Sequence, residues 1–154
     1  MKFQFEILEV GRKNFSGLMR DLSIEQMNHT PEGFNNNIIW NYGHVVVTQQ
    51  LLYYGLSGLP IKMDNSIVDK YRKGSKPTDF IDLEEFKMLK KASIELYKQT
   101  VLDYENGIFT NFKVYPTSFG ITLNNIDDAI VFNNVHENIH LGSIMALKRL
   151  VNIK

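Results

Sequence analysis

The chain has no cysteine among its 154 residues, which excludes a disulfide framework, a cysteine nucleophile and a thiolate-ligated metal together. It has no excess of either charge. Seventeen basic residues meet 17 acidic ones with no basic stripe, so neither nucleic acid nor anionic membrane is an expected partner. No apolar run is long enough to span a bilayer, and the opening Met1-Lys2-Phe3-Gln4-Phe5-Glu6 lacks the apolar core of a signal peptide. Repeats and low-complexity segments are also missing. A cytoplasmic protein is expected, and the 44% hydrophobic and 22% charged composition suits a single domain over 1–154 that buries its own core.

What is present gathers around His136-Glu137-Asn138-Ile139-His140. Histidines four apart lie one turn above each other on a helix, so their ring nitrogens can converge on one point. This clamp uses half of the chain's four histidines, and a third ligand has to come from elsewhere.

The hydrophobic spacing predicts an all-α, up-down four-helix bundle with a long crossover connection between helices 2 and 3. Helix 1 runs from about Phe3 to Arg20, with Ile7, Leu8, Phe15, Leu18 and Met19 on its apolar face. A helical turn starting at Ser23 precedes a loop in which His29 reads as an exposed histidine. Helix 2 extends from about Asn36 to Leu56, with Asn35, Asn36 and Asn37 as candidate caps. Residues Ile61 to Asp79 form the long connection, with a helical turn around Ile67 to Arg72. Its cluster Lys70, Arg72, Lys73 and Lys76 reads as a solvated face, with contact to an anionic substrate as the alternative. Helix 3 starts after the cap Asp82 and stops at Asn106-Gly107, counting Ile94 and Leu102 among its core residues. From Phe112 to Leu123 an extended loop or short hairpin is expected, placing Tyr115, Thr117 and Ser118 at a pocket mouth. Helix 4 is capped by Asn124 or Asn125 and reaches Val151, with Val131, Val135, Ile139, Met145 and Leu150 among the residues expected to bury it.

Helices 2 and 4 share one design. Helix 2 is apolar nearly all round, yet Asn37, Asn41, His44 and Thr48 form a polar stripe along it. Helix 4 carries Asn133, His136, His140 and Ser143 in the same way. A lone buried histidine is usually hydrogen-bonded core, but buried polar rows are costly unless partnered, and two facing stripes bring His44 to His136 and His140. Two other readings compete. His136-Glu137-x-x-His140 matches the zincin peptidase pattern, but residues 141–154 contain no His, Asp, Glu or Cys to serve as a downstream ligand. An inert core in which the histidines only hydrogen-bond is the other.

The segments Asn37-Ile38-Ile39-Trp40-Asn41-Tyr42-Gly43-His44, Gly74-Ser75-Lys76-Pro77, Tyr115-Pro116-Thr117-Ser118-Phe119-Gly120 and His136-Glu137-Asn138-Ile139-His140-Leu141-Gly142 resemble the DinB/YfiT-like four-helix bundle proteins over nearly the whole chain. The resemblance implies His44, His136 and His140 as ligands to a divalent metal, commonly zinc or nickel, and a homodimer. It also implies either S-transfer with a low-molecular-weight thiol or metal-dependent hydrolysis. Ser143 stands where relatives often have Gln.

Three neutral imidazoles would leave a divalent ion an open position, as in catalytic sites. Water or a thiol placed there would lose its proton near neutral pH. Glu137 is the nearest acid in sequence, expected as general base or as partner to a ligand imidazole, or else as a surface or dimer-interface charge. Asn41 and Asn133 are candidates to hydrogen-bond the ligand imidazoles, and Trp40 is assigned to packing. The expected function is a metal-dependent transferase acting on a small-molecule substrate with a small thiol. A metallohydrolase and a non-catalytic metal- or ligand-binding bundle are the alternatives.

Overall fold

The structure, a computed structural model, describes residues 1–152. In chain order its helices are α1 (Lys2–Met19), α2 (Ile24–Asn28), α3 (Ile38–Gln50), α4 (Asn65–Tyr71), α5 (Leu83–Glu105) and α6 (Ile126–Val151). A π-helical turn, Leu51–Gly55, continues α3, and a two-stranded hairpin, β1 (Tyr115–Pro116) and β2 (Thr122–Leu123), precedes α6.

The helices start where side chains satisfy the free N–H groups of a first turn. Ser23 and Gln26 form a reciprocal capping box on α2. Asn37 accepts from the Trp40 N–H, Asp82 from Glu85 and Asn125 from Asp128, fixing the beginnings of α3, α5 and α6.

Cross-helix contacts give the directions. Phe15 packs on Tyr42, while the Arg12 guanidinium donates to Gln49, so α1 and α3 are antiparallel. Tyr42 packs on Phe86 and the Tyr54 hydroxyl donates to Asp103, which makes α3 and α5 parallel. Asn134 donates to Gln4 and Lys148 to the Leu18 carbonyl, so α6 runs alongside α1 in the same sense. The order is up, down, down, up. A parallel α3 and α5 require the chain to return the length of the bundle, and the long segment holding α4 does so.

Most large apolar residues fill this bundle as expected, but α6 differs from its sequence pattern. Val131, Val135, Ile139, Met145 and Leu150 are exposed, as are Ile94 and Leu102 on α5. A helix at the corner of a four-helix bundle has neighbours on one side only, so a helix with apolar residues on more than one face leaves one row uncovered.

One polar cluster ties all four long helices together. Arg12 of α1 and Glu137 of α6 are 4% and 2% exposed. The guanidinium donates from Nε to Glu137 Oε2 at 2.8 Å and from Nη2 to Oε1 at 2.7 Å, a two-point pairing. Its Nη1 donates to Ser93 Oγ of α5 at 2.9 Å, and Nη2 also donates to Gln49 Oε1 of α3 at 3.1 Å. Asn133 Nδ2 donates to Glu137 Oε1 at 2.8 Å. Burial works against the charge on Arg12, but the adjacent carboxylate outweighs it and raises the guanidinium pKa above its usual value.

Removing one partner of such a pair leaves an uncompensated buried charge. Arg12→Met and Glu137→Met should each lower the unfolding free energy by about 3–5 kcal/mol in urea titrations. The double variant Arg12→Met/Glu137→Met should recover most of that loss. Strict additivity of the two losses would show that the residues do not act as a coupled pair.

Candidate metal centre

His44 lies midway along α3, and His136 and His140 lie on successive turns of α6. Because α3 and α6 pack against each other, the three rings meet. Their centroids are 5.1 Å apart for His44 and His136, 4.7 Å for His44 and His140, and 4.6 Å for His136 and His140. One nitrogen from each ring lies within 4.8 Å of the other two, a group that could hold a metal ion. His29, the remaining histidine, is exposed at the end of α2 and is not in this group.

The surroundings select the tautomer at two of the rings. His44 Nδ1 is 2.6 Å from the Tyr71 carbonyl, which can only accept, so Nδ1 carries the proton and Nε2 keeps its lone pair. His140 Nδ1 is 2.8 Å from Asn41 Oδ1. The Asn41 amide nitrogen is already committed to the Asn37 carbonyl at 2.7 Å, so Oδ1 faces His140 and accepts. His136 has no such acceptor: its Nδ1 is buried and without a partner. His44 Nε2 has the Thr48 hydroxyl at 3.4 Å, a long contact that a metal would replace, and three imidazoles each with a nitrogen lone pair form a donor set suited to a divalent transition metal.

All three rings are held neutral. Burial lowers the His136 pKa to about 3, helped by His140 and His44. Burial and then His44 lower His140 to about 4. His44 is also lowered by burial, against the opposing effect of its bond to Tyr71. A proton therefore does not compete for these nitrogens near neutral pH.

Trp40 lies flat against His44, with ring centroids 4.7 Å apart and planes at 10°, and anchors its own Nε1–H on Ser75 Oγ at 3.0 Å. Packing is thus its role, directed at a site residue. Asn41 does hydrogen-bond a cluster imidazole. Asn133 instead bonds Glu137. Glu137 itself is neither exposed nor hydrogen-bonded to any histidine among the described residues, because both of its oxygens face Arg12. Ser143 bonds the Ile139 carbonyl within its own helix.

Three contributors escaped the sequence reading. Arg12 had a signal, since it continues the buried row Phe5, Leu8, Phe15, Met19 at three- and four-residue spacing. Gly43 had a weaker one: a Cβ there would collide with the Tyr71 ring, so glycine permits the approach that brings the Tyr71 carbonyl to His44. That carbonyl had none, because every residue carries one.

A cavity of about 350 Å³ opens beside His44 and His136, walled by the π-helical turn, Phe132 and the hairpin. Tyr115, Thr117 and Ser118 line it, as expected of a pocket mouth. A larger groove of about 770 Å³ between α1 and α5 touches none of the histidines.

Two outcomes follow from this geometry. Elemental analysis should find His44→Ala and His136→Ala both depleted of metal, whereas Asn41→Ala should retain the site with about 10–100-fold weaker affinity. Loss in His136→Ala alone would remove His44 from the centre. For pH, histidines in the unfolded chain bind protons near 6.5, but His140 does so only near 4 and His136 near 3. The unfolded state thus holds more protons within that window, so metal-free protein loses stability as pH falls from 6.5 toward 3. Thermal melts of His136→Gln should show a shallower loss over the same range.

A comparison with curated proteins returns no match. The family model of the DinB superfamily matches residues 7–144, a span that includes all three clustered histidines, and the chain belongs to that superfamily.

Proposed function

We propose that this protein is a metal-dependent transferase that activates a low-molecular-weight thiol at His44, His136 and His140, with zinc or nickel as the metal. The observation that carries this reading is the convergence of three neutral imidazoles beside a cavity of about 350 Å³. A divalent ion held there would act as a Lewis acid, keeping a coordinated thiol as thiolate near neutral pH. The chain supplies the rest. Tyr71 and Asn41 orient Nε2 of His44 and His140, burial suppresses imidazole protonation, and Leu51, Leu52 and Phe132 keep the neighbouring space apolar.

Glu137 is not available as a general base to either transfer or hydrolysis. A hydrolase profits from a general base beside the reacting water. The acid adjacent to His136 in sequence is committed to Arg12 and Asn133 instead. A coordinated thiol, like a coordinated water, loses its proton to the metal's charge and has no need of it. We further read the protein as a cytoplasmic homodimer in which a second copy covers the exposed row Val131, Val135, Ile139 and Met145; no helix among the described residues is long and apolar enough to cross a membrane.

The test is a conjugation assay with metal-loaded protein, a small thiol and an activated aryl halide. Product should form only with thiol present, and His44→Ala and His136→Ala should abolish it. Turnover with water alone would replace this reading with a metallohydrolase. Metal retained with neither reaction would leave a binding bundle.

A further inference from the structure

We propose that the cavity beside the histidines selects a small, apolar monoanion, with its hydrocarbon body against Leu51, Leu52, Leu56, Phe119 and Phe132 and its negative group at Lys73. The proposal rests on the preceding reading only in calling this occupant a substrate.

The cavity's size sets the first limit. At about 350 Å³ it lies near the lower end of the range of about 300–1,000 Å³ found for ligand sites. A small molecule fits, and a folded partner or a long peptide does not.

Its walls set the second. The turn Leu51–Gly55 departs from α-helical geometry to a π-helix, and it is this turn and the following Leu56 that present their side to the cavity. π-helical turns recur at functional sites. Opposite them, Phe119 at the hairpin tip meets Phe132 edge to face at 5.3 Å, and Phe132 lies against His136 at 27° with centroids 6.3 Å apart. The apolar wall therefore continues onto one of the three imidazoles. The neutral polar groups on the lining are Thr48, Tyr115, Thr117, Ser118 and the imidazoles of His44 and His136, and no carboxylate is among the lining residues. An occupant polar along its whole length would lose hydration against the wall of Leu51, Leu52, Leu56, Phe119 and Phe132 without recovering it there.

Charge sets the third. Lys73 is the one lining residue with a full charge. It comes from the cationic segment after α4, where the structure separates the members of the cluster. Lys70 pairs with Glu85 at 2.7 Å and Arg72 with Asp69 at 2.9 Å. Among the described residues, Lys73 has neither an acidic partner nor a hydrogen bond. A cation on the rim of an apolar, acid-free cavity complements an apolar anion and opposes an apolar cation.

The test uses metal-free protein, in which Lys73 is the only full positive charge lining the cavity, and isothermal titration with octanoate, butanoate and octan-1-ol. Octanoate should bind saturably, on the order of tenfold or more tighter than butanoate because four more methylenes leave water. It should also bind about threefold tighter than the neutral alcohol through the charge pair. Lys73→Gln should reduce octanoate to the level of octan-1-ol and leave octan-1-ol unchanged. Phe119→Asp should weaken both, and because Phe119 is 48% exposed its replacement spares the core. Absent saturable binding, an affinity independent of chain length, or octanoate binding unaltered by Lys73→Gln would each overturn the proposal. The metal assays fail separately: metal binding without octanoate selectivity sinks this inference alone, and selectivity without metal sinks the metal reading alone.

Discussion

The buried pairing of Arg12 with Glu137 fixes how α6 is rotated about its own axis, and the histidine cluster depends on that rotation. A helix turns by about 100° per residue, so directing Glu137 at α1 directs His136 to one side of that line. His140, one turn further, follows it. The pair also draws in Ser93 of α5 and Gln49 of α3, so its geometry cannot shift without moving groups on all four helices. Taking two charges out of water costs free energy that their attraction only partly returns, so a hydrophobic pair would stabilise the fold as well or better. The pair instead makes other rotations of α6 expensive, because any of them would leave the Arg12 charge buried without its partner. The apolar residues of α6 lie on more than one face and do not by themselves select one rotation.

The same arrangement gives the His-Glu-x-x-His letters a different use from the peptidase pattern they match. The two histidines face His44 of α3, His136 also lining the cavity, and the glutamate faces the bundle's polar centre. Helix 4 as read from sequence carried one polar stripe, Asn133, His136, His140 and Ser143. In space there are two. Asn133 and Glu137, four apart, belong to the structural face, while His136 and His140, also four apart, belong to the site. Both sets have helical spacing, so periodicity alone could not divide them.

That limit marks what could be read from sequence. The four long helices, the cap at Asp82 and the crossover follow from local patterns, and the structure selects Asn37 and Asn125 from the neighbouring asparagines that could have capped α3 and α6, and the hairpin over a plain extended loop. The histidine triad was legible because one stripe on each of two buried helices leaves few ways to satisfy both. The partner of Glu137 was not, because it lies 125 residues away and nothing local names it. Burial on α6 was overestimated for a related reason: an apolar residue states a preference, while the number of neighbouring helices decides whether it is met. Val135 and Ile139 are exposed by the count of neighbours, not by their chemistry.

The crossover has a part in the site that its length alone did not disclose. Gly43 lets the Tyr71 ring lie against α3, the Tyr71 hydroxyl bonds Glu85 at 2.6 Å, and its carbonyl then fixes the proton on His44 Nδ1. Two residues later the chain places Lys73 on the rim of the cavity. Segment α4 is therefore held from both sides, by α3 through the missing side chain of Gly43 and by α5 through Glu85. An end of α4 free to move would release the His44 tautomer and the rim charge together, so the orientation of a ligand imidazole and the electrostatics of the cavity mouth are set by one and the same contact. His136 has no such tether on its buried Nδ1, and it is the imidazole that adjoins the apolar wall through Phe132. The centre thus combines two fixed imidazoles with a third positioned by packing against the cavity.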